Sequence, residues 1–158
     1  MFLWFLGGSF LAVWLVLRDP SFDYRLLWLG AIAPDLIDAP FGGARVMHSI
    51  TASVALLVVV MLATAGRRVL RKHLIALVFG TFLHLVLDGA FNDTKTFWWP
   101  FTGIRLPHAR LPSISRGLVD VPLEIVGGVM LGWMWKRFRL GDRRVRREFI
   151  RSGRLTVT

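Results

Sequence analysis

The sequence predicts an all-α membrane protein, a polytopic transmembrane helical bundle of about five membrane segments. Two observations carry that prediction. The 158 residues are 54% hydrophobic, above the usual share for a soluble domain, and the mean hydropathy is positive. The basic residues are also unevenly placed, gathered between the apolar runs, so the formal net charge of +10 is a topology signal.

Met1–Leu17 is the first full span; it lacks a basic leading region and an Ala-x-Ala cleavage site, and is expected to be retained rather than removed as a signal peptide. Leu26–Phe41 is apolar but short, and is interrupted by Asp35 and Asp38. From Arg25 to Asp38 a helix rises roughly 20 Å, short of the ~30 Å hydrocarbon core. This segment either reaches a site within the membrane or crosses obliquely. Ser49–Ala65, Leu74–Phe91 and Gly117–Trp135 are the remaining full spans. Residues 1–135 thus read as a transmembrane domain and 136–158 as a basic cytoplasmic tail.

Arg67, Arg68, Arg71 and Lys72 fill one short loop, and the segment from Lys136 to Arg154 carries most of the other basic residues. The positive-inside rule makes both cytoplasmic, and an odd number of crossings puts the N-terminus outside. Phe97-Trp98-Trp99-Pro100-Phe101 reads as an outer aromatic belt, with Trp133 and Trp135 as its inner counterpart. The tail is an anchor for anionic membrane lipid rather than a nucleic-acid binder.

Against this background seven ionisable groups stand out: Asp35, Asp38, His48, His84, Asp88, Asp120 and Glu124. An aspartate at the centre of a membrane helix costs roughly 2.5–3.5 kcal/mol by the gentler scales. The topology brings all seven to one depth, beneath the non-cytoplasmic surface. His84 and Asp88, spaced i, i+4, leave one helical face. Asp35 and Asp38, one turn apart, repel unless a cation sits between them. His48 follows Gly42-Gly43, a turn that could fold the chain back over the site. Asp120 and Glu124 form a third face, and Pro122 between them is expected to free the Leu118 carbonyl. The structural alternative is a set of helix-to-helix hydrogen bonds, with Asp120 and Glu124 paired to Arg116 or Arg105. His73, in the basic loop, and His108, in a Pro-rich loop, are set apart from the site. With no cysteine in the chain, a metal must be held by oxygen and imidazole, which suits a divalent ion such as zinc, manganese, iron or magnesium.

The blocks Leu29-Gly30-Ala31-Ile32-Ala33-Pro34-Asp35-Leu36-Ile37-Asp38, His48-Ser49, His84-Leu85-Val86-Leu87-Asp88-Gly89 and Trp98-Trp99-Pro100-Phe101 together resemble the membrane-bound metal-dependent hydrolases, a multi-spanning inner-membrane family. The resemblance covers about residues 25–130 and implies metal roles for Asp35, Asp38, His48, His84 and Asp88, with Glu124 alongside. Two histidines of the family's pattern have no counterpart, one in the loop Gly43–Ser49 and one near the N-terminus. That departure fits a site richer in carboxylate, tolerant of harder cations.

Three functions follow as expectations. The first is a metal-dependent hydrolase in the inner membrane, acting on an ester or phosphodiester of a lipid-like or envelope substrate near the outer leaflet. Zinc is the foremost metal, with manganese or magnesium as alternatives. Asp35, Asp38 or Glu124 would serve as general base, and Arg45 or Arg105 would hold an anionic group of the substrate. The second is an ion-coupled or metal transporter, and the third a non-catalytic membrane scaffold. Gly127, Gly128 and Gly132 suit close helix packing, within one chain or in a homo-oligomer.

Overall fold

The computed structural model describes residues 1–105 and 117–155, and all regular structure among them is helical. The helices are α1 (Phe2–Leu17), α2 (Tyr24–Asp38), α3 (Ile50–Ala63), α4 (Arg68–Leu87), the short α5 (Thr94–Phe97), α6 (Asp120–Arg137) and α7 (Arg143–Ser152). His108, Arg110 and Arg116 lie outside the described residues.

Among the described residues two helical stretches are long and apolar enough to cross a membrane: α4, and α6 together with the 3-10 turn before it (Gly117–Arg137). α1, with 16 residues, and α3, with 14, are apolar but shorter. Their ends are set by local chemistry. Arg18 takes a left-handed conformation and returns its amide to Trp14 O, closing α1. Thr64 closes α3: its hydroxyl bonds Val60 O at 2.6 Å, and the Arg71 guanidinium donates to its carbonyl and hydroxyl.

The central contact is α2 against α4, and glycine makes it possible. Gly30 and Gly80 face one another so closely that a Cβ on either would strike the other helix's backbone, the close approach small residues permit. α1 packs on α6 in the same way: Gly7 lies against Gly127, which also meets the Leu3–Trp4 backbone. Gly127 therefore serves packing within the chain, whereas Gly132 faces open space.

At the basic end the core is aromatic. Phe10, Tyr24, Leu27, Met134, Phe138 and Phe149 are buried together. The segment after residue 135 is therefore more than a tail. Asp142 caps α7 by accepting from the Arg144 amide, and α7 inserts Phe149 beside Trp28 while most of its arginines stay exposed. Pro122 falls in the first turn of α6, where a missing N–H costs no intrahelical bond. Leu118, whose carbonyl the proline was expected to free, lies in the 3-10 turn before the helix.

Candidate metal centre

The site forms where the last turn of α2, the start of α3 and the last turns of α4 meet. Pro34 lies in this part of α2 and cannot donate to the ladder. After Asp38 a 3-10 turn ends at Gly42, whose φ of 85° suits glycine. The chain then doubles back, so that the Arg45 amide donates to Asp38 Oδ2 at 2.8 Å. A second 3-10 turn delivers His48, and Ser49 caps α3 by accepting from the Ala52 amide.

Three side chains converge. His48 Nε2 lies 3.3 Å from Asp35 Oδ1, His84 Nε2 lies 3.6 Å from the same oxygen, and the two Nε2 atoms are 3.4 Å apart. Ligand atoms of Asp35, His48 and His84 all fall within 4.8 Å of one another. Both histidines are buried, at 1% and 0% exposure.

The opposite ring nitrogens are spoken for. His84 Nδ1 donates to the Ala31 carbonyl at 2.7 Å; a carbonyl can only accept, so the proton sits on Nδ1 and the Nε2 lone pair faces Asp35. His48 Nδ1 donates to Asp38 Oδ2 at 2.8 Å. This is the arrangement by which a backing acceptor fixes the tautomer of a metal-ligating imidazole. Phe5 of α1 covers the His84 ring, with centroids 4.2 Å apart, and shields it from water.

His48 sits in the loop between α2 and α3. Burial, the largest influence, disfavours its charged form. Hydrogen bonds to Asp35 and Asp38 and their charges outweigh it, pushing the ring up to about 9. Two carboxylates thus draw a positive charge to this point, and a divalent ion held by these residues would supply one in place of the Nε2 proton. The donor set of two imidazoles and a carboxylate is one that zinc and similar ions accept.

The remaining predicted residues are distributed as follows. Asp38 backs His48. Asp88 is fully buried at the C-terminal cap of α4, its amide bonded to His84 O at 2.8 Å, and is not among the three converging groups. Glu124 lies at the start of α1, accepting from the Leu3 amide at 2.7 Å and pairing with the Met1 amine at 3.3 Å. Of the seven, Asp35, His48 and His84 are the three that converge as a possible ligand set. Arg45 stands in the doubled-back loop with its guanidinium 5.7 Å from the Phe41 ring centre, and Arg105 is exposed. His73 bonds Asp23 at 3.0 Å at the other end of the molecule. Two participants were not foreseen, the Ala31 carbonyl and the Arg45 amide. Backbone groups carry no sequence signal of their own, although Pro34 marks the turn that holds Ala31. The chain matches no family model, no curated protein and no solved structure.

Proposed function

We propose that this protein is a membrane-embedded metal-dependent hydrolase. The observation that carries the reading is the convergence of Asp35, His48 and His84 with both imidazoles oriented from behind, by Ala31 O and Asp38. A satisfied pair of core histidines needs no common focus for their Nε2 atoms; a ligand set does. When bound, a divalent ion supplies a Lewis acid and a water acidic enough to ionise near neutral pH.

The chain's own residues would do the rest. His84 and His48 hold their Nε2 lone pairs on one point, Asp38 keeps His48 in register, and Phe5 excludes water from the back of His84. Asp35 offers a carboxylate with two oxygens, one toward the histidines and one to accept a proton as general base. Arg45, one loop away, is positioned to attract an anionic group such as a phosphodiester.

The membrane setting rests on exposure. Only 11% of the apolar window of α6 and 33% of that of α4 are buried within the protein, whereas a soluble core helix would be mostly covered. We read the chain as a multi-pass inner-membrane protein, its basic end cytoplasmic and its metal centre on the non-cytoplasmic side. The substrate reading, a lipid-like ester or phosphodiester, follows from that location.

The test is hydrolysis by zinc-loaded protein reconstituted in vesicles containing ester and phosphodiester lipids. Metal-dependent product release that Asp35→Asn abolishes supports the reading, and no release under zinc, manganese or magnesium loading overturns it. Orientation is checked with Lys95→Cys, which an impermeant thiol reagent should label on intact cells.

A further inference from the structure

α7 divides into two faces. Val145 and Phe149, one turn apart, pack into the core of the basic end, with Phe149 against Trp28. The C-terminal end of the helix is tied to the start of α2. Arg25 Nη1 donates to the Ile150 and Arg151 carbonyls at 2.7 and 2.9 Å. The Tyr24 amide donates to Gly153 O at 3.0 Å, and the Leu155 amide to Pro20 O at 2.8 Å. The arginines of α7 therefore stand on a fixed frame and not on a loose tail.

On the outer face Arg144, Arg147 and Arg151 are exposed. Helix geometry puts them within about 60° of one another around the axis and about 10 Å along it. With Glu148 and Ser152 they line a surface depression of about 520 Å³. Among the described residues no carboxylate, Glu148 included, lies within ion-pair distance of these three guanidinium groups. Three permanent cations thus share one strip with a single acid. An anion with several acceptor oxygens relieves their repulsion, and the planar guanidinium fork matches the geometry of a phosphate.

The position of the strip selects the source of that phosphate. α7 follows α6 after the short turn 138–142, and Trp133 and Trp135 near the end of α6 are 43% and 46% exposed, as suits side chains at the head-group level. Ile150, one turn on from Arg147, is 63% exposed. An apolar side chain set among arginines matches the boundary between head groups and acyl chains, whereas a nucleic-acid backbone would leave it unused. We propose that α7 is a preorganised site for the phosphate of an anionic phospholipid of the cytoplasmic leaflet. Arg144, Arg147 and Arg151 hold the phosphate, and Ile150 lies toward the acyl chains. The inference rests on the membrane setting and orientation proposed above and is independent of hydrolysis.

The experiment titrates the full chain in neutral detergent with phosphatidylglycerol or phosphatidylcholine of identical acyl chains, and counts bound lipid by native mass spectrometry. Phosphatidylglycerol should bind at least tenfold more tightly. Arg144→Gln/Arg147→Gln/Arg151→Gln should abolish that preference. Arg144→Lys/Arg147→Lys/Arg151→Lys, which keeps the charge and loses the forks, should weaken it severalfold. Arg67→Gln/Arg68→Gln/Lys136→Gln removes the same charge from other exposed positions at the basic end and should keep the preference within twofold. Equal binding of the two lipids, equal loss in the two glutamine variants, or a lysine variant that binds like the native chain overturns the proposal. Single-stranded RNA that binds more tightly than phosphatidylglycerol, and is lost in the first glutamine variant, also overturns it by making this a nucleic-acid face. Insertion into vesicles is scored separately by resistance to alkaline extraction. A chain that inserts without preferring phosphatidylglycerol refutes the lipid site alone, and a chain that is extracted refutes the membrane reading with it. His84→Ala should lose metal and keep the lipid preference.

Discussion

The two ends of α2 carry the same chemistry, aspartates set against histidine, and resolve it differently. At the N-terminus Asp23 is buried and takes bonds from the Arg25 and Leu26 amides, the Arg25 guanidinium and His73. The helix dipole there favours an anion, and Arg25 is a permanent cation that also clamps the Ile150 and Arg151 carbonyls of α7. Asp23 thus has fixed counterparts within the chain. At the C-terminus, Asp35 and Asp38 face the unfavourable end of the dipole and share two buried histidines. Histidine is a conditional cation. The two clusters differ in that respect: the first is held by an arginine whose charge is permanent, the second by a histidine whose proton a divalent ion could replace.

That contrast is broken most severely by His84→Ala. Removing a proposed ligand should lower zinc affinity by more than the roughly 10–100-fold that loss of a backing partner costs, read as zinc per chain after dialysis. Asp38→Asn keeps all three converging groups and weakens only the support of His48. It should fall within that 10–100-fold range, measured by chelator competition. Asp23→Ala should do the reverse, leaving zinc content unchanged and costing about 2–3 kcal/mol of stability through a lost cap and charged hydrogen bonds, measured by denaturant unfolding in detergent.

The Asp23 contribution is also pH-dependent. Burial raises its pKa, but the bonds from Arg25, His73 and the Leu26 amide outweigh that and hold the carboxyl below its usual range. A group depressed on folding stabilises above its unfolded value, about 3.9, and loses that contribution as pH falls through the folded value. The stability gap between the native chain and Asp23→Ala should therefore narrow between about pH 5 and pH 2. The smallest effect belongs to Glu124→Gln, which keeps an acceptor for the Leu3 amide. It should change stability by no more than ~1 kcal/mol and leave bound zinc unaltered. Loss of zinc in that variant would return Glu124 to the site.

Much of this contrast was legible in the sequence. A histidine and acids inside apolar helices are expensive enough to announce themselves, and the spacing of Asp35 and Asp38 placed both on one face. What spacing could not separate is their roles. The doubled-back loop from Gly42 to His48 decides that Asp38 meets Nδ1 and Asp35 meets Nε2, and loop geometry has no periodicity. Glu124 and His84 were matched in depth, but depth along an axis does not fix the direction around it, and α1 lies beside α6 to take the carboxylate. At the basic end, a run of arginines masked the i, i+4 pair of Val145 and Phe149 that docks α7. Charge density drew the reading toward lipid, and the apolar minority carried the packing.

The most direct measurement is X-ray absorption at the zinc edge on zinc-loaded, purified protein. Two imidazole nitrogens and carboxylate or water oxygens at about 2.0–2.2 Å, at one zinc per chain, are predicted, with zinc per chain falling in His84→Ala. A protein that retains no stoichiometric zinc, or a shell of oxygen alone, would contradict the assignment of Asp35, His48 and His84 as a metal centre.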